Sequence, residues 1–378
     1  MAVLGIVGRA WLHDGVTTST ASRTPAPRYR LVRRAELDAP AAVPLDAEQR
    51  AVVAHREGPL LVVGGPGTGK TTTLVEAVAA RVAGGTDPSH ILVLTFGRKA
   101  SAALRNRIEA RIGAQAGGSA GAGGAAPGRT RAMTEPVVRT FPAYAFGLLR
   151  MAAAQRGEPA PRLLTGAEQD ALIRELLSAP DAAERWPAGL RQAVRTRAFA
   201  AQLRDLLLRA AERGIGPRRL AELGREHNRP DWVAAADFLV EYRNVLALRD
   251  ASTRGTVAYD QAELVRAATA LLQEDPDLLA AERARCRYVY VDELADTDPA
   301  QIDLLELVAG GGTHVVGFAD PDSATFAFRG GDPTGVRDFT QRFRTASGGP
   351  APQVTLRTSY RSTPELLAAS RRVAARLR

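Results

Sequence analysis

The chain has 378 residues, 45% apolar and 24% charged, the balance of a soluble globular protein with length for two to three domains and real cores. No run reaches the roughly 18–20 uninterrupted apolar residues of a membrane span, and the apolar start MAVLGIVGRAWL lacks the basic flank and cleavage site of a signal peptide. A single cysteine, Cys286, and five scattered histidines exclude a disulfide framework and a Cys/His metal site; no membrane association is expected, and a cytoplasmic location is.

The formal charge of +9 points to an anionic partner. Nearly all of the basic charge is arginine: lysine occurs only at Lys70 and Lys99. A chain so depleted of lysine keeps one where a compact ammonium fits and a guanidinium does not, as in a tight phosphate loop.

In chain order, residues 1–43 carry Pro, Thr, Ser and Arg without periodicity and read as a flexible arm. Asp46 and Gln49 have capping-box spacing ahead of a short helix. Leu60–Val63 reads as a buried strand, Lys70–Ala83 as a helix and Ile91–Leu94 as a second buried strand. Residues 113–128, Gly/Ala-rich, read as a flexible surface loop, and Val137–Thr140 as a third strand. From 149 to 255 the pattern is wholly helical, with a capping box at Thr165 and Glu168 and an apolar face of Phe199, Leu203, Leu206, Leu207 and Ala210. Strands return at Arg287–Val291 and His314–Ala319, around a helix that starts at Asp298-Pro299 and stops at Gly310. Short buried strands alternating with helices predict an α/β fold, a parallel doubly wound sheet interrupted by an all-helical insertion. The expected segments are 44–148 and 256–350 for the sheet, 149–255 for the insertion, and 351–378 for the start of another domain.

Gly64-Gly65-Pro66-Gly67-Thr68-Gly69-Lys70-Thr71 matches G-x-x-x-x-G-K-[ST] between a strand and a helix. Its glycines let backbone N–H groups wrap a phosphate, Lys70 reaches the β/γ-phosphates, and the Thr71 hydroxyl ligates Mg²⁺. Asp292 and Glu293 follow the strand that ends at Val291, at the sheet edge where such folds bind ligands. One carboxylate can hold the metal and the other can activate water, whereas in isolation the pair is a solvated turn. Phe326 and Phe328, followed by Arg329, suit stacking on unpaired bases with a nearby phosphate contact; they equally suit a core. The stretch 185–219 holds nine arginines against Asp205 and Glu212. That is either a phosphate-tracking face or a solvated helix surface.

Together these segments resemble the UvrD/Rep/RecB family of ATP-driven DNA helicases, through six ordered motifs from residue 44 to 366. The resemblance implies a RecA-like P-loop NTPase that uses ATP and Mg²⁺ and tracks single-stranded DNA 3′ to 5′ in repair or recombination. Pro44–Gln49 is similar to the adenine-reading motif, with Gln49 as the base reader. The loop residues Gly65, Pro66, Gly67, Thr68, Gly69, Lys70, Thr71 and Thr72 would hold the nucleotide. Thr95–Ser101 and Thr140–Ala145 resemble the DNA-contacting segments, which assigns Phe96, Lys99, Thr140 and Phe141, with Phe326, Phe328 and Arg329, to DNA; Pro142 stands where a histidine is usual.

Val291–Gln301 follows the acidic motif, with Leu294 and Ala295 replacing its aromatic and glutamine. Asp320–Gly330 resembles the coupling motif, with Ser323 in place of a γ-phosphate-sensing glutamine. In Ser359-Tyr360-Arg361-Ser362, Ser359 replaces asparagine, Tyr360 packs on adenine and Arg361 is the γ-phosphate finger. Lys70, Asp292, Glu293 and Arg361 are thereby the expected catalytic set, and Thr71 with Asp292 the metal ligands.

The arginine-rich wording is similar to actinobacterial members such as the two-subunit AdnA/AdnB-type helicase–nucleases, which implies DNA ends as substrate and a second helicase–nuclease subunit as partner. In the family, the motif around Arg361 opens a second RecA-like domain, so the sequence reads as the front half of a motor. A degenerate, non-motor subunit that binds ATP and DNA is the alternative, favoured by Ser323 and Ala295. A small-molecule P-loop kinase has no support from the later motifs.

Overall fold

Six short strands form one parallel sheet: β1 (Leu60–Gly64), β2 (Ile91–Thr95), β3 (Val137–Thr140), β6 (Tyr288–Val291), β7 (His314–Ala319) and β8 (Gln353–Leu356), in the order β3-β2-β6-β7-β1-β8, the four inner strands largely buried and the edge strands β3 and β8 partly exposed. The computed structural model describes residues 44–119, 135–252, 256–323 and 331–376. The expected arm at 1–43 and the triad Phe326, Phe328 and Arg329 lie outside the described residues.

Alternation along the strands explains the unbroken apolar runs. Leu60, Val62, Ile91, Val93, Val316 and Phe318 pack on one face with α1 (Ala47–Ala54), α2 (Lys70–Ala83) and α3 (Arg98–Ser119). Leu61, Leu92, Leu94, Val289, Val291 and Val315 pack on the other. That second face is covered by α4 (Phe141–Arg156), α9 (Gln261–Glu274), α10 (Pro276–Arg285), α11 (Pro299–Ala309) and α12 (Thr334–Arg342). The inner strands of a parallel sheet are buried on both sides and so do not alternate apolar with polar, whereas the edge strand β8 alternates, with Gln353 and Thr355 exposed.

Caps end the elements where the sequence places them. Asp46 and Gln49 form a reciprocal capping box on α1, Thr165 and Glu168 do so on α5 (Gly166–Leu177), and Asp298 accepts from Gln301 N at the start of α11, with Pro299 in its first turn.

Between α4 and α9 the chain builds a separate apolar core. Leu172, Ile173, Leu177, Trp186, Phe199, Leu203 and Leu207 pack with Ala235, Leu239 and Tyr242. Apart from Trp186, in the connection between α5 and α6, they come from α5, α6 (Arg197–Glu212) and α8 (Pro230–Ser252), beside α7 (Pro217–Glu226).

Three expectations need correction. The stretch 149–255 is not wholly helical: its first residues finish α4, and β4 (Arg162–Leu163) pairs in parallel with β5 (Ala258–Tyr259). This pairing ties the two ends of the segment together through Arg162 N to Val257 O and Leu164 N to Tyr259 O. Residues 113–119 are not loop. They continue α3 to Ser119, because Leu104, Ile108 and Ile112 anchor the helix on the sheet and alanine and glutamine extend it despite the glycines; 120–128 lie outside the described residues. The strand expected from Arg287 begins at Tyr288.

Candidate nucleotide site

Everything expected to handle nucleotide, apart from Gln49, Gly65 and Tyr360, lines one cleft of about 370 Å³ formed by Pro66 to Thr72, Asp292, Glu293, Asp320, Ser323 and Arg361. The sheet order makes this possible. The ends of β1, β7 and β6 are adjacent, so the loop after β1 faces Asp320 after β7 and the acidic pair after β6, about 5 Å per strand away.

The loop is held in a shape only glycine permits at two positions. Gly67 and Gly69 have φ of +79° and +81°, and a Cβ on Gly67 would lie 2.6 Å from Arg361 Cβ. Gly69 is the N-cap of α2 and provides no side-chain cap, so the first N–H groups of that helix remain for an anion. Lys70 Nζ donates to Gly64 O at 2.6 Å and Gly65 O at 3.0 Å and lies 3.9 Å from Asp320. Burial lowers its pKa, against the pull of Asp320, Asp292 and Glu293.

Thr71 Oγ1 donates to Asp292 Oδ2 at 3.3 Å, while Asp292 Oδ1 is buried with no hydrogen-bond partner among the described residues. Burial raises the Asp292 pKa, with the Thr71 bond and Lys70 opposing. A hydroxyl, a carboxylate and an unused buried oxygen fit a hard divalent cation that retains most of its waters, as Mg²⁺ does. Glu293 occupies the left-handed region at φ +55°, a conformation that costs a non-glycine residue about 1 kcal/mol or more. It turns the chain out of β6 just after Asp292 N has bonded Leu94 O at 2.9 Å. Partial desolvation, then Asp292 and Asp296, raise its pKa.

Gln49 is 3% exposed. Its Oε1 accepts from Asp46 N and its Nε2 donates to Thr68 O at 3.1 Å, so the capping role is real and extends to bracing the phosphate loop. Tyr360 donates from its hydroxyl to Asp46 Oδ2 at 2.7 Å, and its N–H bonds Gly67 O at 2.9 Å. Ser359 Oγ reaches Pro66 O at 3.3 Å. The segment carrying Arg361 is thus latched onto the loop it was expected to face.

The residues assigned to DNA divide. Phe141 is fully buried, a member of the apolar cluster that also holds Leu148 and Leu264, so it offers no exposed ring surface to a strand in this structure. Thr140 is also buried, and its hydroxyl caps α4 by accepting from Ala143 N at 3.3 Å. Phe96 is half-buried and Lys99 exposed at the start of α3. The segments assigned to DNA supply Arg98, Ser101 and Thr140 to a basic hollow of about 190 Å³ at the ends of β2 and β3, which Arg105 and Arg139, missed by sequence reasoning, complete. Sequence reasoning also missed Arg107, which lines the nucleotide cleft. Among so many arginines, none of these carried a distinguishing signal. Five of the nine arginines of 185–219 are ion-paired within the helical block: Arg185 with Asp181 and Glu241, Arg204 with Asp170, Arg209 with Glu212, Arg218 with Glu222, and Arg219 with Glu226.

A family model described as UvrD/REP helicase N-terminal domain matches residues 45–344. The ATP-dependent DNA helicase UvrD2 of Mycobacterium tuberculosis is 27% identical over 338 residues, 88% of this chain and 44% of that protein. UvrD1 of the same species is 28% identical over 346 residues, 88% and 39% respectively. The ATP-dependent DNA helicase PcrA of Leuconostoc citreum is 24% identical over 339 residues, 87% and 39%. The chain spans less than half the length of these relatives.

Proposed function

The chain belongs to the UvrD/REP helicase N-terminal domain family, and from that premise we propose that it is the ATP-binding part of an ATP-dependent DNA helicase that moves 3′ to 5′ along single-stranded DNA in repair or recombination. The observation that carries the reading is the convergence of Lys70, Thr71, Asp292, Glu293 and Arg361 on one cleft. The 3′-to-5′ direction and the repair role rest on the family resemblance.

In this reading the open N–H groups of α2 and the ammonium of Lys70 bind the β/γ-phosphates. Thr71 and Asp292 hold Mg²⁺, which would neutralise charge on the phosphate oxygens. Glu293 orients a water and accepts its proton as the water oxygen bonds to the γ-phosphorus and the bond to the bridging oxygen breaks. Arg361 stabilises the charge that accumulates on the transferred group. Gln49 and Tyr360 flank the adenine. The hollow of Arg98, Arg105 and Arg139 takes backbone phosphates of the strand, which is sequence-independent chemistry.

A second reading, a subunit that binds ATP and DNA without turnover, is favoured by Ser323, which is shorter than the glutamine of the family motif and whose hydroxyl donates to Asp320 Oδ2 at 2.7 Å. Steady-state ATP hydrolysis with and without single-stranded oligonucleotide, alongside Lys70→Ala, decides between them. Stimulation by DNA that vanishes in Lys70→Ala is the expected result. Nucleotide binding without turnover supports the second reading, and no nucleotide binding overturns both.

A further inference from the structure

α3 begins at the segment assigned to the DNA strand and brings its third turn against the nucleotide cleft. Its Arg107 Nη2 donates to Thr72 Oγ1 at 3.1 Å, and one turn on, Arg111 Nε pairs with Glu76 Oε1 at 2.7 Å. The spacing is four on both helices, so the two contacts form a ladder between facing stripes of α3 and α2. The rungs differ in surroundings. Arg107 lines the cleft with Lys70, Thr71, Asp292 and Arg361, whereas the Arg111–Glu76 pair lies outside it, largely covered.

We infer that Arg107 is a positioning residue of the nucleotide site that links it to the strand-facing end of α3. The inference rests on the proposed nucleotide site and goes beyond it. Through Thr72 the guanidinium fixes the first turn of α2, whose N–H groups and Lys70 meet the phosphates. The guanidinium also lines the same cleft as Asp292 and Lys70. Arg98, Ser101 and Arg105, on the same helix, line the basic hollow, and Arg107 follows roughly 3 Å along the axis from Arg105. A shift of α3 as a phosphate enters the hollow therefore moves Arg107 relative to Thr72 and Asp292. The arginine fork suits this place: Arg107 can keep Thr72 with one N–H and present others to a phosphate oxygen.

The test is titration of the full chain with a fluorescent Mg²⁺·ATP analogue, with and without single-stranded oligonucleotide, for wild type, Arg107→Ala, Arg107→Lys and Arg111→Ala. Arg107→Ala is expected to bind nucleotide about tenfold more weakly, in line with the loss of a charge-assisted contact, and to lose the change in nucleotide affinity that the oligonucleotide causes in wild type. Arg107→Lys recovers part of the affinity, and Arg111→Ala lowers the melting temperature while keeping wild-type nucleotide affinity. Equal affinity and equal oligonucleotide response in Arg107→Ala and wild type overturn the inference, as does an equal loss in Arg111→Ala, which would make the effect one of helix docking alone. If wild type itself binds no nucleotide, the proposed function falls and takes this inference with it; binding by wild type with no effect at Arg107 removes this inference only.

Discussion

Glu293 combines a strained backbone at φ +55° with a pKa raised by desolvation and by Asp292 and Asp296. Both features suit a base that must take a proton from water near neutral pH. Replacement by glutamine keeps the shape and removes the base. Glu293→Gln should cut hydrolysis by about 100-fold or more while leaving nucleotide affinity within a few-fold of wild type, measured by turnover and by direct titration. The sign of the pH dependence follows from the two shifts. Glu293 must be ionised, so activity falls as pH drops through its raised pKa, above the range of an ordinary glutamate. Lys70 must be protonated, so activity also falls as pH rises through its lowered pKa. The expected kcat profile is a bell narrower than two unperturbed groups would give, and an acid limb at the ordinary glutamate position of about 4.3 would argue against Glu293 as the base. Gly67→Ala tests the loop: a Cβ would meet Arg361 and Ser359 at 2.6 and 2.9 Å, so nucleotide binding should be lost through steric displacement of the Arg361 segment.

At the scale of elements, α4 illustrates how a motif position can be structural. Phe141 opens the helix as a fully buried ring, and Thr140 caps it. Phe141→Ala should destabilise the fold by about 3–5 kcal/mol through lost burial and a cavity, seen as a lower melting temperature, with oligonucleotide affinity of the folded fraction unchanged. A selective loss of DNA affinity at wild-type stability would restore it as a contact. The junction of α6 with α11 is a second case. Glu212 is 7% exposed, and burial pushes its pKa up to about 8 despite the Arg209 ion pair at 3.0 Å. Between the unfolded value of 4.5 and 8 the folded state holds a proton that the unfolded chain releases, so this group lowers stability as pH rises across that window. Glu212→Gln should flatten the decline in melting temperature between pH 5 and 8.5. Parallel curves for the two proteins would refute the assignment.

For the molecule as a whole, net charge says less about DNA than the distribution of charge does. The arginines at 185–219 that bridge neighbouring carboxylates form mostly exposed pairs, which contribute little to stability and offset part of the local positive charge. Arg98, Arg105 and Arg139 instead surround a hollow beside the carboxyl ends of β2 and β3. Neutralising Arg98 and Arg139 to glutamine should weaken binding of a single-stranded oligonucleotide and reduce the slope of log affinity against log salt by about one to two units. Arg218→Gln with Arg219→Gln should leave both within error. The reverse ranking would move the strand to the helical block.

The phosphate loop, the acidic pair, the caps and five of the six sheet strands were legible in the residues themselves, because each depends on local chemistry: glycines that tolerate positive φ, side chains that cap their own helix, and short apolar runs; β8, with Gln353 and Thr355 exposed, joins the sheet only through its pairing with β1. Three-dimensional packing decided the rest. A buried phenylalanine and a stacking phenylalanine look alike in one dimension, as Phe141 shows, since burial depends on what α4 lies against. Arg107 and Arg111 are equivalent by composition, yet only the register of α3 on α2 sets one in the cleft and the other outside it. Gln49 was expected to cap or to read a base, and the fold added a third task by bringing the loop carbonyl of Thr68 to its amide. Local sequence determined which atoms could do chemistry, and tertiary contacts between residues far apart in the chain determined which of them meet.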